Sequence, residues 1–453
     1  MKILLIGDYS NVHATLAEGL RTLGHDVTVV SDGDGWKDYP RDIDIRRPSL
    51  GRWQSLRYYL RLRRLWPSLR GYDVVQLINP VFLPLRAERI WPFYESLRRH
   101  NGKVFMGAFG MDHYWVKAGT DCHTFRYSDF NLGPTPRTDL PENALFIADW
   151  LHGPKGLLNR RIAADCDGII AGLYEYYASY EKYCPQKEKL TFIPFPIKSL
   201  YTSLSLTPIL SPSEQAAPLR HPSPVAFGDG QNAEGENTPA DEEAICSNVI
   251  SADEENNRSN VLSPSLTGEG WQRAAGSPDG ERLGERLESR LNAIQTVFFI
   301  GIQRSRSAYK GTDIMLRALE RVEKELPDKV RAVRVESVPF AEYRKLMLGS
   351  DVILDQLYSY TPAMNALEAM SQGLVVVGGG EPENYAILGE DELRPIINVE
   401  PNEESVYQAL RDLALHPERL PRLKADTLAY IHRHHDHLKV AQQYLNFWTR
   451  PEK

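Results

Sequence analysis

Short apolar runs separated by helix-length segments recur in two blocks of this chain, on either side of a long stretch that lacks them. That rhythm constrains the fold more than any other feature. A short apolar run followed by an amphipathic segment buries both of its faces only as a strand of a parallel sheet covered by helices. The first block opens with the apolar run Lys2–Ile6 and the turn chemistry of Gly7-Asp8-Tyr9-Ser10-Asn11. Leu16, Gly19, Leu20 and Leu23 then recur at helical spacing, Gly24 is placed to stop the helix, and Val27–Val30 reads as a second strand. Further strands are expected at Val74–Leu77, Val104–Met106 and Gly168–Ala171, with Lys189–Pro196 carrying the chain out of the block.

From Ser203 to Ser289 the composition changes to Ser, Pro, Gly, Glu and Asn, aromatics shrink to Phe227 and Trp271, and LSPS occurs at both Leu210 and Leu262. Such a segment buries too little apolar surface to offset its ordering entropy, so a disordered insertion is expected. The rhythm returns at Thr296–Ile300. A helix is predicted over Lys310–Val322, strands at Ala332–Val335, Asp351–Leu354, Leu374–Val377 and Ile396–Val399, helices at Ala341–Leu348 and Ala363–Gln372, and helices again from about Asn402 onward. The expected architecture is α/β: two doubly wound Rossmann-like domains, 1–202 and 290–453, facing a cleft, with 203–289 inserted between them.

A formal charge of −7 argues against nucleic acid as the main partner. Cys122, Cys166, Cys184 and Cys246 lack paired spacing, so neither a zinc site nor a disulfide framework is indicated. The apolar start is too short for a signal sequence or a membrane span, which predicts a cytoplasmic protein.

Two segments carry chemistry. In FFIGIQRSRSAYKGTD a strand ends at Gly301, a basic loop follows, and Lys310-Gly311 opens a helix; Arg304, Arg306 and Lys310 beside free N–H groups make an anion site for a diphosphate. The alternative is a solvated surface loop. In SDVILDQLYSYTPAMNALEAMSQGLVVVGGGEPENY, Glu368 sits mid-helix where its carboxylate accepts from vicinal sugar hydroxyls. Asn365 lies one turn before it. Gly379 and Gly380 let backbone approach a ligand, and Glu381 and Glu383 follow a strand end. The alternatives are a helix carboxylate facing water and a plain turn. Asn11 and His13, in the first strand-to-helix turn, are placed to meet donor phosphate or acceptor hydroxyls, with helix capping by Ser10 or Asn11 as the equal alternative. No G-x-G-x-x-G follows that strand, which argues against a dehydrogenase and its cofactor.

The order GIQ–basic loop–KG, SDVILDQ, ALEAMSQGLVVVGGGEPE resembles the donor-binding half of GT-B glycosyltransferases, in particular the retaining glycosyltransferase family 4. The resemblance covers nearly all of residues 296–450 and extends more loosely over 1–200. It implies transfer of a hexosyl group from a nucleoside diphosphate sugar to a glycan or lipid-linked glycan, in cell-surface polysaccharide or glycoconjugate synthesis. Lys310 and one of Arg304 or Arg306 would hold the diphosphate, Glu368 the ribose, and Gly379-Gly380-Glu381-Pro382-Glu383 the donor sugar. The family's further Glu, eight positions before the ribose-binding one, is Tyr360 here, and its His of the HG-x-D context is Phe109. Asp112 and His113 remain as catalytic candidates. No D-x-D element calls for a metal. A nucleotide-sugar 2-epimerase of the same fold and a catalytically silent sugar-nucleotide-binding protein are the rivals.

Three segments stay outside this scheme. Cys122–Gly133 (CHTFRYSDFNLG) matches no general motif and is expected to shape an acceptor pocket. Between Arg46 and Arg70 lie eight arginines and no acid; Arg57, Arg61 and Arg64 share one helical face among Leu and aromatic residues. That is the pattern of a helix lying on an anionic membrane, here its cytoplasmic face, or of a solvated basic face on a packed helix. In IHRHHDH, His432 and His435 are a helical i, i+3 pair without the further ligands a structural zinc needs.

Overall fold

The computed structural model describes residues 1–49, 51–198, 295–336 and 338–451. The expected disordered insertion at 203–289 lies outside the described residues. Residues 1–198 and 295–451 belong to one compact unit.

The first lobe runs β1 (Lys2–Ile6), α1 (Val12–Thr22), β2 (Asp26–Ser31), β3 (Ile43–Asp44), α2 (Arg52–Leu65), β4 (Val74–Leu77), α3 (Trp91–His100), β5 (Lys103–Ala108) and α4 (His113–Thr120). A small hairpin of β6 (Asn131–Leu132) and β7 (Thr135–Pro136) follows, then α5 (Glu142–Ile147), α6 (Pro154–Asp165), β8 (Gly168–Ala171), α7 (Tyr174–Tyr183) and β9 (Leu190–Phe192). The sheet order is β3-β2-β1-β4-β5-β8-β9, with every pair parallel. Ile3–Ile6 and Val74–Leu77 are buried on both faces, as a strand between two helical layers must be. The segment expected to leave the lobe instead adds β9 to the sheet edge, through its pairing with β8.

The second lobe runs β10 (Thr296–Ile302), α8 (Ser307–Lys310), α9 (Thr312–Glu325), β11 (Val330–Glu336), α10 (Phe340–Leu348), β12 (Val352–Leu354), α11 (Met364–Ser371), β13 (Val375–Gly378), α12 (Pro382–Leu388), β14 (Ile397–Asn398), α13 (Glu403–Leu415), α14 (Leu420–Tyr430) and α15 (His437–Trp448). Its five parallel strands are ordered β11-β10-β12-β13-β14. The helix expected to start at Lys310 starts two residues later, because Gly311 takes a left-handed conformation (φ +74°) that ends α8 and begins α9.

Strand order reverses between β1 and β4 in one lobe and between β10 and β12 in the other. Loops at such reversals splay apart and leave a crevice at the carboxyl ends of the strands. The loop Gly7–Asn11 therefore opens at one crevice, and the loops after β10 and β12 at the other.

The last helix departs from the sequence order of the lobes. A π-helical turn at Ile431–His435 hands the chain back, Ile197 bridges to Asp436, and α15 packs on the first sheet. Trp448 donates to the buried Gln76 at 3.3 Å, and the Phe447 ring lies 5.5 Å from Phe105. A Cβ on Gly19 would come within 2.5 Å of the His437 carbonyl, so α1 and α15 meet at a glycine contact.

Candidate functional site

The first switch loop is built around Asp8. Its buried carboxylate accepts the His13 and Ala14 N–H groups at 3.0 and 3.2 Å and so caps α1. Ser10 and Asn11, the expected caps, instead take left-handed conformations (φ +50° and +71°), and Asn11 makes no side-chain cap bond. Burial pushes the Asp8 carboxyl up to about 7 against the opposing pull of the capped amides. His13 is fully buried with Nδ1 2.7 Å from the Gly7 carbonyl; since a carbonyl only accepts, Nδ1 carries the proton. Burial lowers its pKa to about 3, so the ring is neutral and offers Nε2 as an acceptor; neither Nε2 nor Asn11 Oδ1 has a partner among the described residues. A neutral His13 supplies no charge to a phosphate. Its Nε2 can accept a hydrogen bond.

The second switch gathers Lys310, Arg306, Asp355 and Asn365. Lys310 closes α8, and its carbonyl accepts the Leu357 N–H at 2.9 Å, which ties the loop after β10 to the loop after β12. Burial lowers the Lys310 pKa; Asp355 opposes that, while Arg306 and Lys37 of the first lobe reinforce it. Asn365 donates to Asp355 at 3.0 Å and accepts from the Tyr343 hydroxyl at 3.0 Å. One turn further along α11, Glu368 pairs with Arg344 at 2.8 Å. Across from these, Lys37 bridges Asp34 (2.7 Å) and Ser10 (3.2 Å), and Tyr39 meets Phe340 edge-on at 5.7 Å.

Arg304 and Arg306, equivalent in sequence, separate in space. The Arg304 side chain is 83% exposed, and its guanidinium is doubly bonded to Glu336 at the end of β11. Arg306, also exposed, lies over the Tyr309 ring at 4.9 Å and acts on Lys310 and on Asp129.

Glu381 and Glu383, picked from sequence, are occupied from the first lobe. Arg126 holds Glu381 at 2.7 Å, grips both oxygens of Glu383, and lies 4.8 Å over the Tyr360 ring. Tyr127 donates to Glu381, and the Arg126 N–H donates to the Tyr360 hydroxyl at 2.6 Å. The segment expected to shape an acceptor pocket thus crosses to the other lobe. Gly379 and Gly380 are explained by their own chain: a Cβ on Gly379 would sit 2.1 Å from the Ser359 carbonyl, and one on Gly380 2.7 Å from Ile396. Gly379 thus admits the Ser359 backbone, and Gly380 the Ile396 side chain.

Asp112 and His113, the catalytic candidates, lie at the start of α4. Asp112 is buried, caps α4 through the Trp115 N–H at 2.9 Å and accepts from Tyr180 at 2.8 Å, while burial raises its carboxyl to about 6. His113 Nδ1 lies 2.7 Å from the Trp150 carbonyl with Arg160 beside the ring. Both have their polar atoms partnered from within the first lobe. Phe109, where the resemblance expected a histidine, packs edge-on to Phe195 and His13. Of the C-terminal histidines, His434 pairs with Glu390 and His435 with the Phe195 carbonyl.

Five residues of this region were not picked out from sequence: Lys37, Tyr39, Arg126, Glu175 and Asp355. Asp355 was legible, standing directly after an apolar strand in SDVILDQ. Tyr39, Arg126 and Glu175 act through partners that are distant in sequence and leave no local signal.

No protein-family model and no curated protein matches the chain. Among solved structures, sucrose-phosphate synthase from Thermosynechococcus elongatus is similar at 10% identity and a TM-score of 0.53, over 99% of this chain and 98% of that one. HepE from Anabaena in complex with UDP-glucose is similar at 11% identity and 0.48, over 98% of each. UDP-GlcNAc 2-epimerase from Neisseria meningitidis bound to UDP-GlcNAc is similar at 10% identity and 0.45, over 98% and 99%. At these identities the likeness is one of architecture. The chain has the GT-B fold: two parallel, doubly wound α/β lobes whose switch-point loops face each other.

Proposed function

We propose that the chain is a glycosyltransferase that moves a sugar from a nucleoside diphosphate sugar to a glycan or lipid-linked glycan, with retention, in cell-surface polysaccharide or glycoconjugate synthesis. The observation that carries the reading is the half-buried Lys310, set with Arg306 at one switch point and facing Lys37 beside the other. A diphosphate between them meets cations already in place, where charge develops as the sugar departs. Burial lowers the Lys310 pKa, and a diphosphate bound beside it would raise it again. Glu368 takes the ribose hydroxyls once its Arg344 pair yields or shares an oxygen. Neutral His13 accepts from a substrate hydroxyl through Nε2. Partner lobes that already touch keep water from the reacting carbon.

A panel of nucleoside diphosphates and their sugars, read by thermal shift, tests this. The matching donor should raise the melting temperature of the wild type and leave Lys310→Ala and Glu368→Ala unmoved. A shift that survives in both variants removes the donor site from this place.

The grip of Arg126 on Glu381 and Glu383 favours a second reading, nucleotide-sugar binding without transfer. A wild type that binds donor yet never transfers or hydrolyses it supports that reading over the first.

A further inference from the structure

Helix α2 is fastened to the first lobe on one side only. Tyr58 donates to the Ile45 carbonyl at 2.8 Å, Leu62 is fully buried, and the Trp66 indole that follows donates to the Phe93 carbonyl at 2.9 Å. With 3.6 residues per turn, the side opposite Tyr58 and Leu62 carries Trp53, Leu56, Arg57, Leu60 and Arg64. These apolar residues are open to solvent: Trp53 is 80% exposed, and Leu56 and Leu60 are 45% exposed each. An amphipathic helix on a packed lobe turns its large apolar side chains inward and its charges outward. This one has apolar residues on both sides.

The charge around the stripe is of one sign. Arg57 and Arg64 flank it and make no ion pair among the described residues. Arg61 differs: it is drawn back to the lobe, donating to the Asp44 carbonyl. The face that points away is therefore Trp53–Leu56–Leu60 with Arg57 and Arg64, not the purely basic face that sequence spacing suggested. The chain carries −7 overall, so this local positive charge runs against the average. Among the described residues no helix is long and apolar enough to cross a membrane, so contact with one would be from the side.

We propose that this face of α2 lies flat on an anionic bilayer, with Trp53, Leu56 and Leu60 at the boundary between headgroups and acyl chains and Arg57 and Arg64 on lipid phosphates. A Trp with two Leu on one ridge suits a boundary that is wet on one side and apolar on the other. The guanidinium groups beside them reach phosphates bidentately while their stems lie along the apolar layer. Nucleic acid would meet the arginines but leave the leucines in water. The inference is independent of the donor site, which lies on other loops.

Co-sedimentation of the full chain with vesicles tests it. Wild type is expected to pellet with phosphatidylcholine–phosphatidylglycerol vesicles and to stay in solution with phosphatidylcholine alone. Arg57→Glu/Arg64→Glu should weaken binding by well over tenfold, since each basic group near such a surface contributes about fivefold. Leu56→Ser/Leu60→Ser should weaken it as strongly without changing the charge, and Arg99→Glu, an exposed arginine on α3, should leave it unchanged. All five changes are at exposed positions, and an unchanged melting temperature for each variant confirms that the lobe is intact. A wild type that ignores anionic vesicles, or serine variants that bind as before, overturns the proposal. So does a short RNA that displaces the protein from vesicles through the same arginines.

Discussion

His435 shows how one buried side chain writes a pH dependence into the whole protein. Its Nδ1 bonds the Phe195 carbonyl, and burial lowers its pKa to about 4. The folded protein therefore refuses a proton that the unfolded chain accepts below about 6.5. Its contribution to stability is complete above that pH and is lost as pH falls towards 4, by about 1.4 kcal/mol per unit. Urea unfolding of wild type and His435→Gln should show a stability gap at pH 7 that narrows by about 2 kcal/mol at pH 5; a gap that stays constant refutes the neutral histidine. At this scale the sequence was legible where a role depends on local position. Lys310 and Glu368 stood out as candidates because each sits at a strand end or on the helix after it. It was illegible where a turn decides: only the short helical turn at Arg304–Arg306 and the left-handed Gly311 separate an arginine that faces Glu336 from one that faces Lys310.

Helix α7 is the element that fastens the lobes. Glu175, in its first turn, is buried and accepts the N–H groups of Tyr360 and Thr361 at 2.6 and 3.1 Å, and the Thr361 and Ser359 hydroxyls as well. Burial raises its pKa despite these donors. Glu175→Ala leaves two buried amides without an acceptor and should cost about 2–4 kcal/mol, with Glu175→Gln costing less. An unchanged urea midpoint for the alanine variant would show that water replaces the carboxylate freely. Most elements were readable because parallel strands buried on both faces appear as unbroken apolar runs. The hairpin at 131–136 and the π-helical turn at 431–435 were not. Each is too short to carry a period, and both are shaped by what they touch.

Among the described residues the two lobes meet through several separate grips. Besides Glu175 and the Arg126 cluster, Tyr309 donates to Asp129, and the buried Arg137 donates to the Ala308 carbonyl at 2.8 Å while stacking 3.8 Å over Tyr358. With so many shared contacts the lobes should melt as one unit: wild type gives a single calorimetric transition, and Arg126→Ala/Arg137→Ala resolves it into two. Two transitions in the wild type would mean that the grips couple nothing. The doubly wound class of each lobe was legible from alternation alone, but the grips were not, since each joins residues distant in sequence. The same holds for α15, which sequence order assigns to the second lobe and packing assigns to the first. That placement has a consequence for synthesis. The groove on α1 and the surface over Phe105 and Gln76 wait for Phe447 and Trp448, which leave the ribosome about 10–50 s after β9 at ordinary elongation rates. Until then the first lobe has an open apolar seam, and this is the interval in which a nascent chain is most in need of a chaperone.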